Sequence, residues 1–139
     1  MKIYLASPFF NDQELGYVKQ AEQILIDKGF DLFSPRLHEC RDAEVGSTQW
    51  AETLFRGDVA AIDDCDSVVL LYHGNYSDSG TAWECGYAFG KGKPVIVVHL
   101  GDMANIMIHR SARANISFDE LADYDFEKMP QIDYIGDMT

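Results

Sequence analysis

Cationic side chains are scarce in this chain: 11 Lys and Arg stand against 23 Asp and Glu, for a formal net charge of −12. That balance argues against a nucleic-acid polymer as partner, because such binding rests on a basic patch that displaces counterions from phosphates. Cysteine is nearly absent as well. Cys40, Cys65 and Cys85 form no CxxC pair and leave an odd count, which suits a reducing cytoplasm better than secretion and marks them as packing residues. No apolar run approaches the ~20 residues needed to span a bilayer, and no targeting segment is visible, so no membrane partner is expected. A Gly-rich phosphate loop is missing too: the first strand runs into Ser7-Pro8-Phe9-Phe10, neither a dinucleotide fingerprint nor a Walker loop. The four histidines offer no metal site, since His38-Glu39-Cys40 has no second cluster at zinc spacing. Neither metal nor cofactor is expected. Cys85, beside Glu84, has no histidine tied to it by sequence and reads as packing rather than as a nucleophile.

What is present fits one globular α/β domain over residues 1–139, with 47% hydrophobic and 24% charged residues. Strands are expected at 3–6, 30–33, 67–72 and 94–99. Between them, Leu15, Val18, Ala21, Ile24 and Leu25 recur at helical spacing over 13–28, with Asn11 or Asp12 as cap and Gly29 as stop. A second helix starts at Ser47 or Thr48 and runs to Ala61 or Ile62, with Glu52 available to complete a cap. A third carries Glu84 and ends at Gly90 or Gly92, after a turn-forming stretch over 73–78. The β-α alternation predicts a doubly wound, mainly parallel, flavodoxin-like or Rossmann-like sheet with helices on both faces. The long polar stretch from Ser34-Pro35 to Gly46 is a candidate substrate-contacting loop. Residues 105–115 show no clear period and read as a loop or partner-contacting segment, and Ser117 can cap a short helix over 118–122. The acids of the last third, Asp119, Glu120, Asp123, Asp125, Glu127 and Asp133, read as solvated surface.

Two carboxylates stand out. Glu84 follows a hydrophobic strand in an α/β pattern, where the crevice outside the strands' carboxyl ends is the usual ligand site. Asp78 lies six residues earlier at the loop-to-helix junction, so the pair offers one nucleophile and one proton donor. The structural alternative is that Asp78 caps the helix and Glu84 favours its N-terminal dipole. Asp58 shares a helical face with Leu54 and Ile62, so it must be paired or hydrogen-bonded; a functional and a structural role both remain open. Phe9, Phe10 and Trp50 each suit a core, whereas together with Tyr4 and acids at one sheet edge they suggest a pocket for a flat base.

The block Asp78-x-Gly80-x-x-x-Glu84-x-Gly86-Tyr87-Ala88 resembles the nucleoside 2-deoxyribosyltransferase family. Supporting matches are Tyr4, Trp50, Asp58, Lys91-Gly92-Lys93-Pro94 and Asn105-x-Met107, so the likeness spans the first strand to about Met107. It implies that Glu84 attacks the anomeric carbon of a 2′-deoxyribonucleoside and forms a 2-deoxyribosyl ester, which a second base opens with net retention. Asp78 is then the acid/base, Tyr4 orients Glu84, Asp58 contacts base or sugar, and Phe9, Phe10, Trp50 and Gly80 line the substrate site. By the same likeness Asn105 and Met107 reach into a neighbouring subunit's site, implying a homo-oligomer, a hexamer built from dimers. The chain departs from one branch of the family at Pro8-Phe9, where that branch has a small residue and tryptophan, and at His38-Glu39, where it has a glutamine. Two other readings stand beside the transferase: a 2′-deoxynucleoside 5′-monophosphate N-glycosidase, which needs a phosphate cradle from groups such as Ser7, Ser34, Ser79 and an arginine, and a non-enzymatic nucleoside- or nucleotide-sensing module.

Overall fold

A computed structural model describes residues 1–75 and 78–139 of the protein; Tyr76 and Ser77, part of the expected turn over 73–78, lie outside the described residues. The elements run β1 (Lys2–Ala6), α1 (Asp12–Asp27), β2 (Asp31–Phe33), α2 (Thr48–Asp64), β3 (Ser67–Tyr72), α3 (Ser79–Gly90), β4 (Val95–His99), β5 (Met103–Ala104), α4 (Ile106–Ser111), β6 (Ala114–Ser117) and β7 (Asp137–Met138). Five strands form a parallel sheet in the order β2-β1-β3-β4-β6, and β5 pairs with β7 as a separate ribbon. The expected doubly wound α/β fold is what the structure shows.

Alternation along the strands builds two cores, one on each face. Ile3, Leu5, Val69, Leu71, Ile96 and Val98 face α1, meeting Val18, Ala21 and Leu25. Tyr4, Ala6, Val68, Leu70, Tyr72, Val95 and Val97 point the other way, onto Ile62 of α2, Cys85 and Ala88 of α3, and Ile108 of α4. A strand buried on both faces has no polar side to show, which is why β3 reads as an unbroken apolar run.

Capping follows side-chain chemistry. Asn11 accepts from the Glu14 N–H, Ser47 from that of Trp50 and Asp78 from that of Thr81, each satisfying a donor that the helix leaves without an internal partner. Gly29, at φ 85°, takes the left-handed position that ends α1. Glu52 does not complete the α2 cap; it lies too far into the helix and pairs with Arg56 one turn on, at 2.6 Å.

The segment 105–115 is the main correction to the sequence reading. It forms α4 and runs into β6, which adds a fifth parallel strand to the sheet. Asn115 can sit buried in that strand because its amide is satisfied: its Oδ1 meets His99 Nε2 at 2.8 Å, and its Nδ2 donates to the carbonyls of His109 and Ile132. Over 118–122 the structure has a single 3₁₀ turn, Phe118–Glu120, closed by a Ser117/Glu120 capping box. The acids of the last third are exposed, as expected, and interleave with Leu121, Tyr124 and Phe126, which are buried.

One ion pair ties the segment after β2 to α1. Glu22, buried on α1, receives the Arg36 guanidinium at 2.6 Å through Nη2, with Nε at 3.1 and 3.2 Å. Removing one partner of such a pair strands the other away from water. Glu22→Ala is therefore expected to lower the unfolding free energy by about 3 kcal/mol, read from urea denaturation. An unchanged midpoint would mean that Arg36 escapes to solvent at no cost.

Candidate active site

The strand order reverses direction between β1 and β3, and at that switch point a cavity of about 610 Å³ opens at the carboxyl ends of the strands. Each wall comes from a different crossover. The turn after β1 supplies Phe9 and Phe10, the segment after β2 supplies His38 and Cys40, α2 supplies Trp50 and Asp58, and Asp78 and Glu84 come from the start of α3. An adjoining cavity of about 450 Å³ shares Asp58 and Glu84 and is walled by Phe55, Gly80 and Trp83. Another groove, of about 520 Å³, runs along Lys2, Ile3 and β2 to Phe33 and His38, and contains none of this carboxylate set.

Glu84 lies in the second turn of α3, beyond the reach of the helix dipole, which falls off within the first turn. Its environment is dominated by desolvation. Burial pushes the Glu84 carboxyl up to about 7; the Tyr4 hydroxyl pulls it back, while Asp58 and Asp78 add to the rise. Burial likewise lifts Asp58 to about 6. Tyr4 is held well above the ordinary phenol range, first by burial and then by the charges of Glu84 and Asp58, so it stays a neutral donor. Tyr4 acts on Glu84 without a hydrogen bond of standard geometry: the Tyr4 hydroxyl and Glu84 Oε2 are both buried and have no hydrogen-bond partner among the described residues. Glu84 lines the cavity and Tyr4 lies behind it, so two orphaned polar atoms sit next to the cavity.

Asp78 does cap α3, its Oδ2 receiving the Thr81 N–H at 2.9 Å and the Thr81 hydroxyl at 3.0 Å, and it also lines the cavity. The cap and a site role are thus compatible. Gly80 belongs beneath it, because a Cβ there would stand 3.0 Å from Asp78 Oδ2. Phe9 and Phe10 stack on each other with centroids 5.8 Å apart, and Phe10 is 76% exposed, so these rings serve the cavity rather than the core. Trp50 is half-buried on the same cavity. Asn105 and Met107 do not reach this chain's own site: Asn105 caps α4 by accepting from the Met107 N–H, and the Met107 side chain is 72% exposed. Lys19, Arg36 and Leu54 line the cavity without any local sequence signal, since crossovers bring them there from separate segments. Cys40, expected only to pack, lines it too.

The cavity, the carboxylate set and the parallel sheet coincide with a known family. The model of the family described as nucleoside 2-deoxyribosyltransferase matches residues 3–118. The chain belongs to that family. A solved structure of a 2-deoxyribosyltransferase from Bacillus psychrosaccharolyticus superposes with a TM-score of 0.92, is 39% identical, and covers 97% of this chain and all of that one. A nucleoside deoxyribosyltransferase of Lactobacillus johnsonii is 32% identical over 58% of this chain and 56% of its own length. A Thermofilum pendens protein assigned by name to the 2′-deoxynucleoside 5′-phosphate N-hydrolases is 31% identical over 72% of this chain and 68% of its own. No helix among the described residues is long and apolar enough to cross a membrane, and no group of three or more His, Cys, Asp or Glu side chains among them could hold a metal ion.

In this deoxyribosyltransferase-family chain the raised carboxyls carry a sign that can be tested. Glu84 and Asp58 hold protons more tightly when folded than when unfolded, so their stabilising contribution is full below the unfolded carboxyl range and is lost as pH rises through about 6 and 7. Glu84→Gln removes its share of that loss. The variant is expected to gain up to about 3 kcal/mol over wild type at pH 8 and little at pH 4, measured by urea unfolding at both. Equal gains at both pH values would contradict a desolvated acid at this position.

Proposed function

We propose that the protein exchanges the base of 2′-deoxyribonucleosides through a 2-deoxyribosyl ester on Glu84. The observation that carries this reading is Glu84, which lines a cavity edged by Phe9, Phe10 and Trp50 and whose Oε2 is buried and unpartnered, as is the Tyr4 hydroxyl behind it. In the first displacement the Glu84 carboxylate bonds to C1′ as the C1′–N bond breaks, and Asp78 hands a proton to the leaving base. The incoming base then attacks C1′ from the vacated side, gives its proton to Asp78 and releases Glu84. Two inversions give net retention, and the ionised carboxylate stabilises the oxocarbenium-like charge at both transition states. Tyr4 lowers the cost of that ionisation, Asp58 contacts the base or sugar from α2, and Gly80 lets Asp78 approach.

Transfer prevails over hydrolysis only when water is kept from the ester. We infer that a second copy completes the enclosure within a dimer-based assembly such as a hexamer, with Asn105 and Met107 entering the neighbour's site. Exposed Phe55, Trp83, Phe89, Ile106 and Met107 on α2, α3 and α4 support an apolar contact of that kind. The free thiols fit a reducing cytoplasm.

A second reading is hydrolysis of 2′-deoxynucleoside 5′-monophosphates, favoured by the Thermofilum pendens relative. Two cradle candidates weigh against it: Arg36 is committed to Glu22, and the Ser7 hydroxyl donates to the Pro8 carbonyl. Incubation with 2′-deoxyinosine and adenine is expected to yield 2′-deoxyadenosine and hypoxanthine. Free base without exchange, or reaction only with the monophosphate, would favour the hydrolase, and binding without either product a sensing module. Asp78→Asn is expected to lower exchange by roughly 10²–10⁴, with a smaller loss for nitrophenyl leaving groups; equal losses would leave Asp78 only a cap. Met107→Asp is expected to shift sedimentation to smaller species and to raise hydrolysis relative to transfer. Normal assembly and transfer in that variant would exclude the shared site.

A further inference from the structure

Three rings are layered outward from the core. Tyr4 stacks on Phe33, its register partner on β2, with centroids 5.5 Å apart and planes 12° from parallel. Phe33 stacks in turn on His38 at 4.1 Å and 6°. Tyr4 is fully buried, Phe33 half-buried and His38 exposed, so the stack runs from beside Glu84 to the surface. His38 ends the 3₁₀ turn Pro35–Leu37. Beyond it the segment to Gly46 includes the cavity-wall residues Glu39, Cys40 and Val45. Its side-chain ties are sparse there, limited among the described residues to an exposed Arg41–Glu39 pair at 3.8 Å. Among the described residues two side-chain contacts, one ionic and one between rings, tie this wall to the body of the fold: the Arg36–Glu22 ion pair on α1, and the His38 ring on β2.

We infer that His38 is a positioning residue whose flat ring, as the outer leaf of the Tyr4–Phe33–His38 stack, holds the 34–46 wall closed over the reacting carboxylate. The catalytic part of this inference rests on the proposed function; the structural part does not. A stacked ring pair is worth up to about one power of ten in a local equilibrium, so losing it should open the wall about tenfold more often. Imidazole acid-base chemistry plays no part, and any flat ring of similar size should serve.

The test compares wild type, His38→Ala and His38→Phe. Limited digestion by trypsin reports the wall directly, because Arg41 lies on it and is exposed. Cleavage after Arg41 is expected to be about tenfold faster in His38→Ala and within about twofold of wild type in His38→Phe. kcat, measured on whichever glycosidic cleavage the wild type performs, is expected to fall about tenfold in His38→Ala, and His38→Phe is expected to restore it. Wild-type cleavage rates in His38→Ala would overturn the inference, as would a His38→Phe variant as defective as His38→Ala. Should the wild type exchange no base, the digestion still decides whether the ring holds the wall, while the exchange reading alone fails.

Discussion

Burial of the Glu84 carboxyl beside Asp58 and Asp78 is the constraint on which the rest of the site depends. Three acids near one cavity repel when ionised, and burial raises the cost of charging Glu84 and Asp58. The nearby neutral Tyr4 hydroxyl offsets part of that cost, and one oxygen of Glu84 is without a hydrogen-bond partner among the described residues. Under the proposed exchange, such a carboxylate is poorly satisfied at rest and better satisfied by a cationic sugar centre, which is the arrangement that lowers a barrier rather than merely binding a ground state.

The sheet makes this possible by its alternation. Because Tyr4 sits between Ile3 and Leu5, its ring leaves the α1 core and enters the α2/α3 core, where α3 brings Glu84 down onto it. Shifting β1 by one residue would turn Tyr4 away from Glu84 and bury Ile3 there instead. The parallel order then gathers the turns after β1, β2 and β3 at one edge. That is why residues as distant in sequence as Phe9, His38 and Asp78 line one cavity.

Legibility of the sequence followed how local the determining physics is. Ser67–Tyr72 was readable to the residue because six consecutive apolar-compatible positions are all buried, and the caps to within one residue, as Asn11 or Asp12, Ser47 or Thr48, and Asp78, because each acts within three residues. β6 was not readable: its four residues Ala-Asn-Ile-Ser carry two polar side chains, and Asn115 is strand-compatible only through partners on His99, His109 and Ile132. The carboxylates and aromatics of the site were visible as a spaced block and a set of rings. The Arg36–Glu22 anchor and the Phe33–His38 stack were not, since each joins segments that only the folded crossovers bring together.

The proposed exchange passes the sugar through a covalent bond to the desolvated acid. Incubating the protein with a 2′-fluoro-2′-deoxynucleoside, whose fluorine slows release of the sugar, and mapping the mass increase by peptide sequencing tests that step most directly. The expected result is one 2-fluoro-2-deoxyribosyl group on Glu84, absent from Glu84→Ala. A sugar on another residue, or turnover of the analogue with no protein-bound sugar at any time, would contradict the assignment of Glu84 as the nucleophile.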